Sequence, residues 1–106
     1  MAKYLMQAAY TSEGLKGLAK EGGSKRKDTV QKAIEQLGGR LEVFYYAFGE
    51  ADVYLIVELP DVVAASALSM AVNASGAVRL RTTPLLTVEE VDRAIANNVA
   101  YRAPGT

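Results

Sequence analysis

Residues 49–61, GEADVYLIVELPD, decide the fold, because they combine a tight turn, a strand and the start of a helix. In the strand, Val53, Leu55 and Val57 alternate with the side chains between them and therefore share one face. Asp61 is suited to cap the free backbone N–H groups of a following helix. The segment therefore predicts the turn and second strand of an antiparallel hairpin, followed directly by a helix.

The residues before this turn predict the first strand of the hairpin and, ahead of it, a helix. Residues 40–48 alternate between two sets of side chains. One face is predicted to carry Leu41, Val43, Tyr45 and Ala47, and the other Glu42, Phe44, Tyr46 and Phe48. Asp28 and Gln31 resemble a capping box that begins a helix, and the glycine pair 38–39 ends it.

The beginning of the chain predicts another strand and a helical turn. Residues 3–9 are short and apolar, as expected of a strand. Thr11 or Ser12 is placed to cap the helical turn that follows. Gly22 and Gly23 then interrupt the helical pattern, and they indicate either a kink or a loop.

The residues after position 61 predict a helix, a strand and a further helix. The first helix extends to Asn73, and residues 77–85 form the last strand, with Arg79 and Arg81 on its outward face. Residues 87–90, TVEE, form a capping box for a helix that reaches about residue 98.

This order, strand-helix-strand-strand-helix-strand, predicts an α+β fold of the ferredoxin-like βαββαβ type. It implies a four-stranded antiparallel sheet with both helices on one face, in a single domain spanning residues 1–106. The core occupies residues 3–86, and an extra C-terminal helix with its tail occupies residues 87–106. The second sheet face then has no helix to cover it.

The predicted open face would expose too much apolar surface to water for the chain to be stable as a monomer. A second copy of the chain is the simplest cover, because most soluble oligomers are symmetric homo-oligomers. The candidate oligomer interface is Phe44, Tyr46, Phe48, Tyr54 and Ile56.

Composition excludes several kinds of chemistry. The chain has no cysteine and no histidine, which removes thiolate and imidazole nucleophiles and the usual zinc and haem ligands. We therefore predict no metal site and no cofactor. No stretch is long and apolar enough for a membrane span, and residues 1–7 do not resemble a signal peptide. A cytoplasmic protein without a membrane partner is the expectation.

Several separated segments resemble the GYD domain family of small bacterial and archaeal proteins. They are residues 49–52 with the strand and residues 58–61 after them, residues 37–42, and residues 76–79. The family is similar to the dimeric α+β barrel proteins, so the resemblance implies that two ferredoxin-like sheets face each other. It implies no general activity. Position 51, where the family signature has a tyrosine, is Ala51 here.

A cleft between the open face and its partner is the candidate ligand site. The residues predicted to line it are Tyr46, Tyr54, Glu58, Arg79, Arg81 and Asp52. Phenols and guanidiniums there can hydrogen-bond a small molecule or bind its carboxylate or phosphate. The alternative is that the charges are paired across strands or subunits, that the tyrosines are interface aromatics, and that Asp52 caps backbone N–H groups.

The leading functional prediction is a homo-oligomeric protein that binds a small molecule or acts as a structural or regulatory module, without chemistry of its own. The alternative is a cofactor-independent oxygenase or isomerase of the dimeric barrel type, acting on an aromatic or quinone-like substrate. Nucleic-acid binding through residues 25–27, KRK, with Lys16 and Lys20 is disfavoured. Net charge is zero, and this basic cluster is better explained as a solvated helix end.

Overall fold

The order of strands and helices follows the βαββαβ prediction, with one additional helix in the first crossover. The computed structural model describes residues 1–106. The elements are β1 (Ala2–Tyr10), α1 (Ser12–Glu21), α2 (Gly23–Gln36), β2 (Arg40–Tyr46), β3 (Val53–Leu59), α3 (Val62–Ala74), β4 (Val78–Leu85) and α4 (Val88–Ile95). No helix combines the length and the apolar character needed to cross a membrane.

The four strands form one antiparallel sheet in the order β2-β3-β1-β4. Strands β1 and β3 are therefore central, as the ferredoxin-like arrangement requires. The buried core joins one face of this sheet to α2 through Ile34 and to α3 through Ala65 and Leu68. The predicted fold class is confirmed.

The glycine pair separates two helices rather than kinking one. Gly22 has a φ of +96°, a conformation that L side chains rarely adopt, and its N–H donates to the carbonyl of Leu18. Helix α2 begins at the next residue, Gly23. The predicted helix start at Asp28 is wrong, because Asp28 lies inside α2.

Three of the predicted caps are present. Thr11 Oγ1 accepts from the N–H of Gly14 at 3.2 Å, and Asp61 Oδ1 accepts from the N–H of Ala64 at 2.9 Å. Thr87 forms the predicted reciprocal capping box at the start of α4. These short-range signals are read correctly from sequence because each depends on two or three neighbouring residues.

A β-bulge in β2 overturns the predicted facing of its aromatic side chains. The pairing with β3 shifts between Leu41 and Val43, so one extra residue enters β2. Beyond the bulge Phe44 pairs with buried Leu55, and Tyr46 pairs with the next buried position of β3. Paired residues share a face, so Phe44 and Tyr46 lie on the helix-covered face. The prediction that they lie on the open face is wrong.

Phe48 is also misplaced in the prediction. Strand β2 ends at Tyr46, and Phe48 has a φ of +53° in the loop that follows. Its ring stacks on the ring of Tyr46, with centroids 5.7 Å apart, while Phe44 meets the same ring edge-on at 5.3 Å. The three aromatic residues form one cluster that belongs to the helix-covered side.

Candidate functional site

The open face of the sheet, defined here as the face without helices, has an apolar centre. Strand register places Leu5 beside Ile56, and Ile56 beside Val43, across three adjacent strands. Tyr45 and Tyr54 form the next cross-strand pair on the same face, and Tyr45 is 70% exposed. Of the five predicted interface residues, Tyr54 and Ile56 are on this face.

Ion pairs occupy one end of the open face. Lys3 Nζ lies 2.7 Å from Glu42 Oε2, and the Arg40 guanidinium pairs with Glu58 on the neighbouring strand. The hydrogen bond from Arg40 holds the pKa of Glu58 below its ordinary value. Glu58 is therefore an ionised, paired carboxylate, which agrees with the cross-strand interpretation of this residue.

Arg79 and Arg81 lie at the other end of the open face, on the edge strand β4. They line a polar depression of about 220 Å³ together with Gln7 and Glu50. Neither arginine forms an ion pair. Arg81 and Tyr54 both pair with Gln7, from opposite sides of β1, so the three side chains form a row across the sheet.

The predicted cleft residues therefore fall into separate groups. Glu58 pairs with Lys3 in the register of β1, whereas Arg81 pairs with Gln7, four residues further along that strand. Four residues of strand correspond to about 13 Å. The fold brings Arg79, Arg81 and Tyr54 to one end of the open face and places Glu58 at the other.

Asp52 stabilises the hairpin turn and does not face a cleft. Its Oδ2 accepts a hydrogen bond from the N–H of Tyr10 at 2.8 Å, and its own N–H donates to the carbonyl of Ala8 at 2.8 Å. The neighbouring Ala51 is buried in the same turn. The alternative in which Asp52 caps backbone N–H groups is therefore confirmed.

Replacement of Asp52 with alanine is expected to lower the free energy of unfolding by about 1.5–3 kcal/mol, because the Tyr10 N–H would lose a charged acceptor. Chemical denaturation measures this loss. Glu50→Ala in the same turn removes an exposed acid and is the matched control, with an expected change within about 0.5 kcal/mol. Equal losses in the two variants would contradict the assigned role of Asp52.

A second polar group, which sequence reasoning missed, lies on the helix-covered side. Arg26 Nη2 donates to both carboxylate oxygens of Glu21, at 2.9 and 3.0 Å, across the break between α1 and α2. Tyr46 donates its hydroxyl to the carbonyl of Gly23 at 2.9 Å. The phenol of Tyr10 lies next to that of Tyr46. The even-numbered residues of β1 face inward, so the inward orientation of Tyr10 could have been predicted from the alternation of side chains along the strand.

The three basic residues at positions 25–27 have different environments in the fold. Lys25 and Lys27 are exposed, in agreement with the solvated helix end that the sequence favoured. Arg26 is half-buried and paired with Glu21, so this residue is not part of a free basic surface.

Burial, together with the neighbouring Tyr46 phenol, raises the pKa of Tyr10 to about 12. An unfolded tyrosine titrates near pH 10, so the contribution of Tyr10 to stability is full below about pH 10 and is lost as the pH rises to about 12. Burial also raises the pKa of Tyr46, so two tyrosines are expected to titrate late. Ultraviolet titration of the six tyrosines should resolve a component near pH 12 that Tyr10→Phe removes and Tyr101→Phe retains. An unchanged component near pH 12 in Tyr10→Phe would contradict the assignment.

The architecture defines a ferredoxin-like domain whose sheet is covered on one side. The family profile of the GYD domain matches residues 4–95 of this chain. The chain therefore belongs to the GYD domain family, as its sequence resemblance implied. No curated protein and no solved structure gives a significant match to the chain.

Proposed function

We propose that this protein is a cytoplasmic homo-oligomeric module that binds a small molecule, and that its subunits pair through their open sheet faces. The observation that carries the proposal is the apolar centre of the open face around Leu5, Val43 and Ile56, which no helix of the chain covers. These three side chains are half-buried, and the neighbouring Tyr45 is 70% exposed. A contiguous, partly exposed apolar patch of this kind is typical of an interaction site. A two-fold symmetric pairing would bring each central residue close to its copy.

Helix α4 gives independent support for assembly. Val88, Val91 and Ile95 share one side of the helix at helical spacing, and they are 76%, 44% and 72% exposed. A helix of eight residues is too short to be stable in water without tertiary packing. The radius of gyration is 16.9 Å, against about 13 Å for a compact domain of this length. A second copy would supply the missing packing surface.

The ligand is proposed to bind at the end of the open face where Arg79 and Arg81 lie. Two guanidiniums without carboxylate partners favour a small molecule with a carboxylate or phosphate group, and the adjacent Gln7 and Tyr54 can add hydrogen bonds. Pairing of two sheets would turn the depression beside Gln7 into a cleft. We favour binding over catalysis because Glu58, the one carboxylate of the predicted cleft that lies on the open face, is paired with Arg40 at the opposite end of that face.

A panel of small carboxylates and phosphates, tested by thermal unfolding at low salt, examines the ligand proposal. The double variant Arg79→Ala/Arg81→Ala should lose the stabilisation that the best compound gives to the wild-type protein. Arg102→Ala removes an exposed arginine of the tail and should retain it. Equal stabilisation of the double variant would contradict a site at these arginines, as would the absence of any stabilising compound.

A further inference from the structure

The core contains an apolar cavity between the sheet and helices α2 and α3. Its volume is about 80 Å³, and its lining includes Ala8 of β1, Val30 of α2, Phe44 of β2, Leu68 of α3 and Leu80 of β4. Protein interiors are usually packed to a density that leaves few voids larger than a water molecule. An apolar pocket of this kind, open at one side, is available to an apolar ligand.

The cavity adjoins a surface groove that gives a ligand a way in. The groove has a volume of about 340 Å³ and lies along α1, beside Gly14 and Gly17. Four residues line both the cavity and the groove, namely Tyr10, Arg26, Val72 and Val78. These shared residues mark the junction between an apolar interior and a more polar entrance.

The junction offers hydrogen-bond donors in a setting that disfavours negative charge. Arg26 uses Nε and Nη2 for Glu21, and its Nη1 forms no hydrogen bond within the chain. The phenol of Tyr10 lies against the hydroxyl of Tyr46 and can donate to a ligand in place of that contact. Glu13 and Glu21 both line the groove, whereas Arg26 is the one basic residue that does. A neutral oxygen acceptor therefore suits the junction better than a carboxylate does.

We propose that the cavity and groove form one binding site for a small neutral amphipathic molecule, with a short alkyl group in the cavity and a carbonyl oxygen near Arg26 and Tyr10. An engineered cavity that binds benzene has a volume of about 150 Å³. The present cavity is about half that size, which fits a short alkyl chain. The site goes beyond the proposed function because it lies within one subunit, on the opposite side of the sheet from Arg79 and Arg81.

Titration of the protein with 2-pentanone, followed by methyl NMR, tests this site. Saturable shifts are expected in methyl groups lining the cavity, such as those of Val30 and Leu80. Butanoate, which has the same propyl group and an anionic head, should bind at least about tenfold more weakly. Absence of saturable shifts in the wild-type protein, or binding of butanoate as tight as that of 2-pentanone, would overturn the proposal.

Ala8→Val fills the cavity from β1 and is expected to abolish the 2-pentanone shifts. Ala67→Val makes the same substitution at an exposed position of α3 and should bind normally. Leu80→Ala enlarges the cavity from β4. The longer ketone 2-heptanone, which has two more methylenes than 2-pentanone, should therefore bind the Leu80→Ala variant about tenfold more tightly than the wild-type protein. The Leu80→Ala measurement serves as the test if Ala8→Val fails to fold. An affinity for 2-heptanone equal to that of the wild-type protein would then overturn the proposal.

The same titration separates this site from the proposed assembly. Ile56→Glu alters the open face and leaves the cavity lining unchanged, so this variant should bind 2-pentanone as the wild type does whatever its oligomeric state. Loss of binding in Ile56→Glu with an intact fold would contradict a site contained within one subunit.

Discussion

Replacement of Gly14 with alanine is expected to lower the free energy of unfolding by about 3 kcal/mol or more. A Cβ at this position would lie 2.0 Å from the carbonyl oxygen of Ala77 and 3.2 Å from the ring of Tyr10. The backbone of α1 approaches the start of β4 this closely because the N–H of Thr11 donates to the same carbonyl at 3.0 Å. The methyl group can be accommodated only if α1 moves away from the sheet.

Gly17→Ala is the matched control, because it makes the same change three residues later on the same helix. No atom lies within 4 Å of a Cβ built on Gly17, so alanine should raise helix stability by about 0.5–1 kcal/mol. Urea denaturation of the two variants measures both effects. Similar stabilities for Gly14→Ala and Gly17→Ala would mean that α1 does not pack against β4 as described.

Ile56→Glu is expected to convert the proposed homo-oligomer into a folded monomer. Ile56 lies at the centre of the open face, between Leu5 and Val43, where pairing of two sheets would bury its side chain. Two carboxylates brought together at a symmetric apolar contact would each lose hydration without gaining a partner. In the single chain Ile56 is only half-buried, so a glutamate there can reach water and the fold should persist. Sedimentation equilibrium and circular dichroism measure these two outcomes.

Val63→Glu is the control for this prediction, because it adds the same charge at a side chain that is 72% exposed on α3. An acid in the first turn of a helix is favourable, so neither the fold nor the assembly should change. If both variants remain oligomeric, the open face is not the interface. If Val63→Glu alone dissociates, the helical side of the domain is the interface instead.

Most of the fold could be predicted from the sequence because its signals are local. The alternation of Val53, Leu55 and Val57 identified the buried face of β3, and all three side chains are buried. Asp61 and Thr87 marked two helix starts correctly. Each signal depends on residues close together in the chain, and strand order then followed from the sequence of elements.

The facing of the β2 aromatic residues could not be predicted, because a single extra residue inverts the alternation. The bulge between Leu41 and Val43 has no glycine or proline to mark it, and it moves Phe44 and Tyr46 to the opposite face. The candidate interface on the open face therefore loses both residues, and the candidate ligand site loses Tyr46. Tyr54 stayed on the open face because β3 pairs without a bulge along β1.

The cavity and its polar junction depend on contacts between distant segments, which sequence patterns do not report. Arg26 looked like part of a solvated basic run, yet the helix break at Gly22 turns it towards Glu21. The void itself results from how α2 and α3 span the sheet, and no residue type signals it. Short-range patterns therefore predicted the elements but not the spaces between them.

Native mass spectrometry of the wild-type protein tests the central claim most directly, because the pairing of open faces predicts a mass that the single chain cannot have. Paired subunits should give a species at twice the 11.3 kDa chain mass or at a higher whole multiple. A spectrum that contains the 11.3 kDa chain alone, at concentrations where stable oligomers persist, would contradict the pairing of open faces.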